Sequence, residues 1–483
     1  MTSPLVSWKD LGVGLPEVIM CVWSLGVLTL DFACRRRRNA WLGWLSVAGV
    51  VVTGFALIPG WGETQVAFSG LLVADPFATF FKLVILLAAG LTILIAIRYL
   101  GDEGADFGEF YAVVLFATLG MMLIVSTLDL LMIYIGLETM SISIYLLTGF
   151  FKHSRRSTEA ALKYLLMGAF SSGIILYGMV FLYGTAGSTN LKDIGVAVAK
   201  QGMGNPAVVV ALVLLTAGFG FKIAAVPFHM YLPDVYEGAP TPVAAFLAGG
   251  SEVASIGVLI RLFAVAIPNL QGSWILLWVL AVLTMTIGNV VAIAQKNVKR
   301  MLAYSSIAHV GYVLIGLAAG TPRAYQAVLF YTFAYCLMKL GAFGLIVLLC
   351  RGEVKGDQIE DFNGLAQRSP VAAASMLLFL LSLTGIPPTA GFFGKFYLFG
   401  AAIEAGYVWL ALLAVVNSAI SAFYYLGLVR AMYMTEESAR TKALALSWSG
   451  ALGLALVVTA AGTLVFGLYP TPVYAFIANL VKF

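Results

Sequence analysis

The sequence has few charged residues, few histidines and no closely spaced cysteine pair. Only 11% of its 483 residues are charged, whereas a soluble domain carries about 25%. Three histidines are too few for a metal cluster, and the four cysteines show no C-x-x-C spacing (Cys21, Cys34, Cys336 and Cys350). There is also no P-loop, no Gly-x-Gly-x-x-Gly after a strand and no nucleophile elbow. These absences exclude an ordinary soluble domain, and they predict neither a disulfide framework nor a bound metal or nucleotide.

Long apolar runs fill the chain instead. Hydrophobic residues make up 61% of the sequence, and the mean hydropathy is +0.97. A helix needs about 20 apolar residues to cross a membrane. The sequence therefore predicts an all-α polytopic membrane protein of about fourteen spans, near residues 16–34, 41–58, 77–98, 110–126, 128–150, 160–182, 207–227, 242–267, 274–294, 303–319, 325–350, 371–404, 408–433 and 448–469.

Basic residues concentrate in alternate loops. The odd-numbered loops hold Arg35–Arg38, Lys152, Arg155, Arg156, Lys296, Lys299, Arg300, Arg351, Lys355, Arg368, Arg440 and Lys442. The even-numbered loops hold only Lys192, Lys200 and Arg323. Because cytoplasmic loops are enriched in lysine and arginine, we expect both termini to lie on the outer, positive side. The net charge of +5 is then a topology signal, and no nucleic-acid partner is expected.

Two spans are interrupted, and each carries a lysine beside its break. The seventh span, which contains Lys222, runs into Pro227, Pro233, Pro240 and Pro242. The twelfth, which contains Lys395, is broken by Gly385-Ile386-Pro387-Pro388, with Gly391 and Gly394 following. Proline removes a helix hydrogen bond, and free backbone at membrane depth is tolerated only inside protein or beside water. Broken helices at corresponding places indicate an inverted-repeat transporter.

The repeats give a predicted division of the chain. Residues 1–483 form one integral membrane domain: 1–109 hold three N-terminal spans, 110–267 the first repeat (spans four to eight), 274–433 the second, inverted repeat (spans nine to thirteen), and 434–483 the last span.

Six ionisable side chains fall well inside predicted spans: Glu138, Lys222, Glu252, His309, Lys339 and Lys395. A charge at the centre of a span costs about 2.5–3.5 kcal/mol on insertion scales, so a whole set of them needs a reason. A relay that passes protons is the functional interpretation, because burial and pairing shift such groups between charged and neutral forms. The structural alternative is a set of ion pairs or polar contacts that only hold helices together. Lys82, Lys163 and Arg261 lie nearer span ends, where we expect them to snorkel to the interface.

Several motifs resemble those of one family of membrane subunits. They are Ile135-Gly-Leu-Glu-Thr-Met-Ser-Ile-Ser-Ile-Tyr145, Ala160-Leu-Lys-Tyr-Leu-Leu-Met-Gly-Ala-Phe170, Phe219-Gly-Phe-Lys222 with Val226-Pro-Phe-His229 and Pro233-Asp-Val-Tyr-Glu-Gly-Ala-Pro240, Tyr304-Ser-Ser-Ile-Ala-His-Val-Gly-Tyr312, and Gly385-Ile-Pro-Pro with Gly391-Phe-Phe-Gly-Lys395-Phe-Tyr397. They resemble the subunit N family of bacterial proton-pumping NADH:quinone oxidoreductase, respiratory complex I. Subunits M and L and the multisubunit cation/proton antiporters share the lysine-before-proline theme, but the stretch from Pro233 is typical of subunit N.

The resemblance implies an antiporter-like translocase subunit with fourteen helices, two inverted five-helix repeats and broken helices seven and twelve. It implies a charge pair between Glu138 and Lys222, a place for Lys395 in the second half-channel or central axis, and the tenth-helix position for His309. No redox cofactor is expected in this chain; NADH, FMN, iron–sulfur clusters and quinone would belong to partner subunits. The expected partners are subunit M, small membrane subunits and lipids, in the bacterial inner (cytoplasmic) membrane.

One position departs from the family pattern. The eighth helix usually carries a central lysine after a serine, whereas this sequence reads Gly250-Ser251-Glu252-Val253. Glu252 would relay a proton as its neutral acid, or pair with Lys222 or Lys339, and Lys339 would supply the missing positive charge. Two other functions stay open at this point: a subunit of a monovalent cation/proton antiporter, and a membrane scaffold without transport.

Overall fold

The computed structural model describes residues 7–34, 40–105, 107–267, 274–350, 356–437, 446 and 448–480. Among the basic residues used above for orientation, Arg35–Arg38, Arg351, Lys355, Arg440 and Lys442 lie outside the described residues.

The described chain is helical apart from one short hairpin. The N-terminal part comprises α1 (Trp8–Val13), α2 (Leu15–Cys34), α3 (Ala40–Phe55), the antiparallel strands β1 (Gln65–Ala67) and β2 (Leu72–Ala74), and α4 (Pro76–Asp102). The next part comprises α5 (Gly108–Val125), α6 (Leu130–Thr148), α7 (Arg155–Ala186), α8 (Leu191–Gln201), α9 (Pro206–Lys222), α10 (Tyr231–Gly238), α11 (Thr241–Phe246) and α12 (Glu252–Arg261). Then follow α13 (Trp274–Ile293), α14 (Val298–Ala319), α15 (Pro322–Leu349), α16 (Leu365–Arg368), α17 (Pro370–Thr384), α18 (Ala390–Glu404), α19 (Val408–Met434), α20 (Gly450–Leu468) and α21 (Pro470–Ala478).

The described helices match the predicted polytopic architecture. Eleven of them are long and apolar enough to cross a membrane, counting Thr241–Ala266 as one helix. The shorter apolar helices α3 and α17 and the bent pair of α8 and α9, whose axes differ by 109°, supply the remaining predicted spans. The predicted fold class is therefore confirmed. The connector between spans six and seven contains the helix α8.

Both predicted breaks are present. The first separates α9, which ends at Lys222, from α10, which begins at Tyr231; the second separates α17 from α18. Gly385 stands at the second break with φ +89°, and a Cβ there would lie 2.9 Å from Cδ of Lys395. Glycine is required at this position both for its left-handed backbone and for the close passage of the lysine.

The two halves of the bundle repeat one local arrangement at a constant interval. Asp129 caps α6 and forms an isolated bridge with Asn190, while Asn297 caps α14 and bridges Gln358. Each residue of the second bridge follows its equivalent in the first bridge by 168 residues (297 minus 129, and 358 minus 190). The two bridges relate positions in the first half of the chain to positions in the second half, a relation that the sequence patterns did not supply.

Close helix contacts follow the same interval. A Cβ on Gly120 in α5 would lie 2.5 Å from the backbone nitrogen of Met140 in α6, and a Cβ on Gly288 in α13 would lie 2.7 Å from that of Ala308 in α14. Both members of the second pair follow the first by 168 residues (288 minus 120, and 308 minus 140). Small residues at these points let the backbones of neighbouring helices approach closely.

Two charged residues expected to snorkel are buried instead. Lys82 forms a 2.5 Å ion pair with Glu17, and Arg261 forms one of 2.6 Å with Asp75. The side chains of Lys82 and Arg261 are 2% and 1% exposed. The snorkelling prediction was wrong for both because each finds a carboxylate on a neighbouring element, so its charge need not reach water. Lys163, by contrast, is 43% exposed.

Candidate functional site

Lys222 is held by hydroxyl groups. It is the last residue of α9, and its Nζ donates to Oγ of Ser141 at 2.8 Å and to Oγ of Ser172 at 3.3 Å. Glu138 lies one turn before Ser141 on α6, and its buried Oε1 has no hydrogen-bond partner. The two charged groups form no ion pair within 4.0 Å. Ser141 therefore provides the direct contact that the family resemblance gave to Glu138.

Glu252 is held by two tyrosines. It follows a π-helical turn, Leu247–Ser251, that interrupts the helix between α11 and α12. Such turns re-aim the side chains beside them. Oε1 of Glu252 accepts a 2.8 Å hydrogen bond from the hydroxyl of Tyr236, and Oε2 accepts one of 2.8 Å from that of Tyr335. The carboxylate thus has neutral donors as its direct partners, instead of Lys222 or Lys339.

Lys339 lies deep in the bundle and is fully buried. Its Nζ donates to the carbonyl of Leu302 at 2.7 Å and to Oγ of Ser305 at 3.0 Å. The same Nζ lies 5.5 Å from the ring centre of Tyr335. The positive charge expected near Glu252 is therefore present, but a tyrosine ring separates it from the carboxylate.

A continuous line of hydrogen bonds runs from Lys339 to His309. Ser305 bonds the hydroxyl of Tyr425, which lies 3.3 Å from Nε2 of His309. Nδ1 of His309 bonds the hydroxyl of Tyr331. Hydroxyl groups and imidazole both donate and accept, so each member of this line can receive a proton on one side and release one on the other.

Lys395 is the last of a row of buried ionisable side chains, whose other members are Lys222, Glu252, Lys339 and His309. Its Nζ donates to the carbonyls of Leu383 and Thr384 at 3.0 and 2.8 Å and to Oγ of Ser418 at 2.8 Å. The two carbonyls belong to the last turn of α17, whose hydrogen bonds are freed by the break. Nζ also lies 4.8 Å from the ring centre of Tyr312, three residues after His309 on α14. Tyr312 thus connects the surroundings of Lys395 and His309.

The tyrosines and serines of this row were missed in the sequence. Their signal is spacing: Tyr331, Tyr335 and Lys339 recur every four residues on α15, so they share one face. Ser305, His309 and Tyr312, spaced by four and then three residues, share one face of α14. A polar stripe on an otherwise apolar span identifies these positions, but attention to charged residues alone passes over them.

The repeat interval also assigns equivalent positions within the row. Ser141, which binds Lys222, is the counterpart of His309, and Glu138 is the counterpart of Ser306 (309 minus 141 and 306 minus 138 both give 168). By this interval, His309 corresponds to Ser141, the hydroxyl partner of Lys222, and it does not correspond to Glu138. Within the described ranges, no group of three or more histidine, cysteine or acidic side chains is arranged to hold a metal ion.

Comparisons with known proteins agree on one family. The family described as NADH:quinone oxidoreductase/Mrp antiporter, TM, matches residues 127–421. Subunit N of NADH-quinone oxidoreductase from Trichlorobacter lovleyi is 46% identical, covering 98% of this chain and 97% of that protein.

Solved structures share the fold. A chain of respiratory complex I from Thermus thermophilus with bound aureothin has a TM-score of 0.82 and 34% identity, covering 96% of this chain and 99% of that one. A chain of the Mrp complex from Dietzia sp. has a TM-score of 0.83 at 22% identity, covering 98% and 97%. At that identity, the second likeness is one of fold alone.

Proposed function

The chain belongs to the subunit N family of proton-translocating NADH:quinone oxidoreductase, and we propose that its protons move along the row from Lys222 through Glu252, Lys339 and His309 to Lys395. The observation that carries this proposal is the line of hydrogen bonds from Lys339 through Ser305 and Tyr425 to His309. Its members are buried at the centre of the bundle. Several direct partners of the buried charges are hydroxyl groups, which can both donate and accept a proton.

In this proposal, Lys222 is the first carrier. Its ammonium group is held by Ser141 and Ser172, and Glu138 lies one turn away with an unpartnered oxygen. When the complex is driven by electron transfer, a shift of Lys222 toward Glu138 would form the ion pair that the resting geometry lacks. Forming and breaking that pair changes how strongly Lys222 keeps its proton, so the pair acts as a switch.

We also propose the direction of proton transport, the membrane topology, the repeats and the partners of this chain. Protons enter on the cytoplasmic side and leave on the positive side, both termini lie on the periplasmic side, and spans four to eight and nine to thirteen form two inverted repeats with the boundaries given above. The recurrence at 168 residues supports the repeats. Subunit M is the expected neighbour, and NADH, FMN, iron–sulfur clusters and quinone are bound by partner subunits.

The test is proton pumping by the complex reconstituted in vesicles. Lys222→Ala and Glu138→Ala are each expected to lower the number of protons pumped per electron, while electron transfer from NADH to an artificial acceptor stays normal. Lys192→Ala, on the exposed face of α8, is the matched control for loss of a lysine. Full pumping by both variants would remove Lys222 and Glu138 from the relay.

A further inference from the structure

A charged cavity lies beside α10, the helix that follows the break in the seventh span. Its volume is about 240 Å³, and its charged lining residues are Arg156, Glu159, Lys163, Asp234, Glu237 and Arg300. Lys163 bonds Glu159 at 2.8 Å and Asp234 at 2.7 Å, and Arg300 bonds Asp234 at 2.7 Å and Glu237 at 2.9 Å. Their side chains are 27–66% exposed, so water reaches the whole network.

These ion pairs hold the short helix α10 from two sides. Asp234 and Glu237 are both on α10, Lys163 is on α7 and Arg300 is on α14. The carbonyls of Glu237 and Ala239, at the end of α10, also accept hydrogen bonds from Nζ of Lys299 at 3.0 and 2.7 Å. The position of α10 therefore depends on the charges of its two carboxylates.

Two tyrosines of α10, Tyr231 and Tyr236, contact the buried row or a residue next to it. Tyr231 donates a 2.9 Å hydrogen bond to the carbonyl of Phe221, the residue before Lys222, and stacks on its ring with centres 4.2 Å apart. Tyr236 donates to Glu252 at 2.8 Å. The eight residues of α10 thus connect a charged, solvent-accessible cavity to the surroundings of two proposed proton carriers.

We propose that this cavity collects protons on the cytoplasmic side and that α10 transmits their uptake to Glu252 through Tyr236. The inference rests on the proposed function and adds to it an entry site and a positioning residue. A proton that binds Glu237 converts its carboxylate into a neutral acid, and its charge-assisted bond to Arg300 weakens. Loss of that bond removes one of the two ion pairs between α14 and α10 and loosens this end of the helix.

Loosening α10 changes the hydrogen bonding of Glu252. In the present arrangement, Tyr236 and Tyr335 both donate to the carboxylate, and donated hydrogen bonds favour its charged form. Withdrawal of Tyr236 removes one of the two donors and favours the neutral acid. Proton arrival at the cavity thus prepares Glu252 to take up a proton of its own, before any proton has crossed the distance between them.

The experiment measures the carboxylic C=O stretching band of Glu252 in the intact complex by infrared difference spectroscopy, with Glu252→Gln identifying the band. Tyr236→Phe removes the hydroxyl, and Arg300→Gln removes both ion pairs between α14 and the carboxylates of α10. Both variants are expected to shift the band in the same direction, although Arg300 forms no contact with Glu252. Arg300→Lys, which keeps the charge, is expected to restore the parent position.

A double-variant cycle and a control complete the design. If α10 carries the effect, Tyr236→Phe combined with Arg300→Gln shifts the band no further than Tyr236→Phe alone, because coupled sites are not additive. Arg323→Gln, which removes an arginine from the exposed pair with Glu404, should leave the band in place. If Arg300→Gln does not assemble, Glu237→Gln replaces it.

The outcomes separate the two proposals. An unshifted band in Arg300→Gln, or additive shifts in the double variant, would overturn the coupling through α10 even if Lys222→Ala still abolishes pumping. Full pumping by Lys222→Ala and Glu138→Ala would overturn the proposed function, whatever the band does.

Discussion

The hydroxyl of Tyr335 donates a 2.8 Å hydrogen bond to Oε2 of Glu252. Its oxygen also lies 2.7 Å from Oγ of Ser306, and Nζ of Lys339 lies 5.5 Å from the ring centre. The residue thus lies between the carboxylate of the first half and the lysine of the second. The direct partners of this carboxylate are the hydroxyls of two tyrosines, Tyr335 and Tyr236.

We expect Tyr335→Phe to slow proton pumping about tenfold, since a hydrogen bond to a charged group contributes about 1.5–3 kcal/mol and a tenfold rate change corresponds to about 1.4 kcal/mol. Coupled pumping in vesicles is compared with NADH oxidation by an artificial acceptor, which should be unchanged. Tyr177→Phe, at a 57% exposed position on α7, is the control. Equal effects of the two substitutions would show that the hydroxyl of Tyr335 has no special part.

Ser141→Ala tests the hydroxyl that holds Lys222. Because the 2.8 Å bond from Nζ is lost while the 3.3 Å bond to Ser172 remains, pumping is expected to fall more than in Ser172→Ala. Pumping rates of the two reconstituted variants give the comparison. Ser143→Ala removes a hydroxyl that bonds only the backbone of its own helix, at Thr139, and should pump normally. A stronger defect in Ser172→Ala would reverse the assigned order of the two partners.

Lys82→Met addresses the buried pair with Glu17. Removal of one partner leaves an uncompensated buried charge, which costs about 3–5 kcal/mol, so the thermal stability of the purified complex should fall. Lys82→Met combined with Glu17→Gln removes both charges and should recover most of the loss. Protons pumped per electron by the assembled complex should stay at the parent value. A drop in that ratio would mean that the pair belongs to the relay.

Gly311→Ala probes helix packing in the second half. A Cβ at Gly311 would lie 2.4 Å from the backbone nitrogen of Met285, and overpacking of this kind costs about 1–3 kcal/mol. We expect a lower unfolding temperature in detergent. Gly427→Ala is the matched control, because no atom lies within 4 Å of its added Cβ. Equal unfolding temperatures would show that α13 and α14 can separate at no cost.

Hydropathy and proline placement were sufficient to predict the architecture, because membrane spans must be long and apolar and because breaks next to Lys222 and Lys395 need prolines or glycines. The partners of the buried charges were not predictable in the same way. Whether Lys222 meets Glu138 or Ser141 depends on the position of α6 along its axis to within one turn, which no apolar pattern fixes. Likewise, Lys82 and Glu17 are 65 residues apart in the sequence, and they meet only because α2 and α4 both pack against α3 and α5.

The 168-residue interval is the spacing that a unit copied and joined to itself would leave between equivalent positions. On that history, the copies kept the helix caps and the glycine contacts but diverged where the chemistry lies: a serine in one half occupies the place of His309 in the other. Because a serine and a histidine bind protons with different affinity, divergence at this position gives the two copies different proton affinities. A duplicated unit can in this way turn from two equivalent channels into successive stages with a direction.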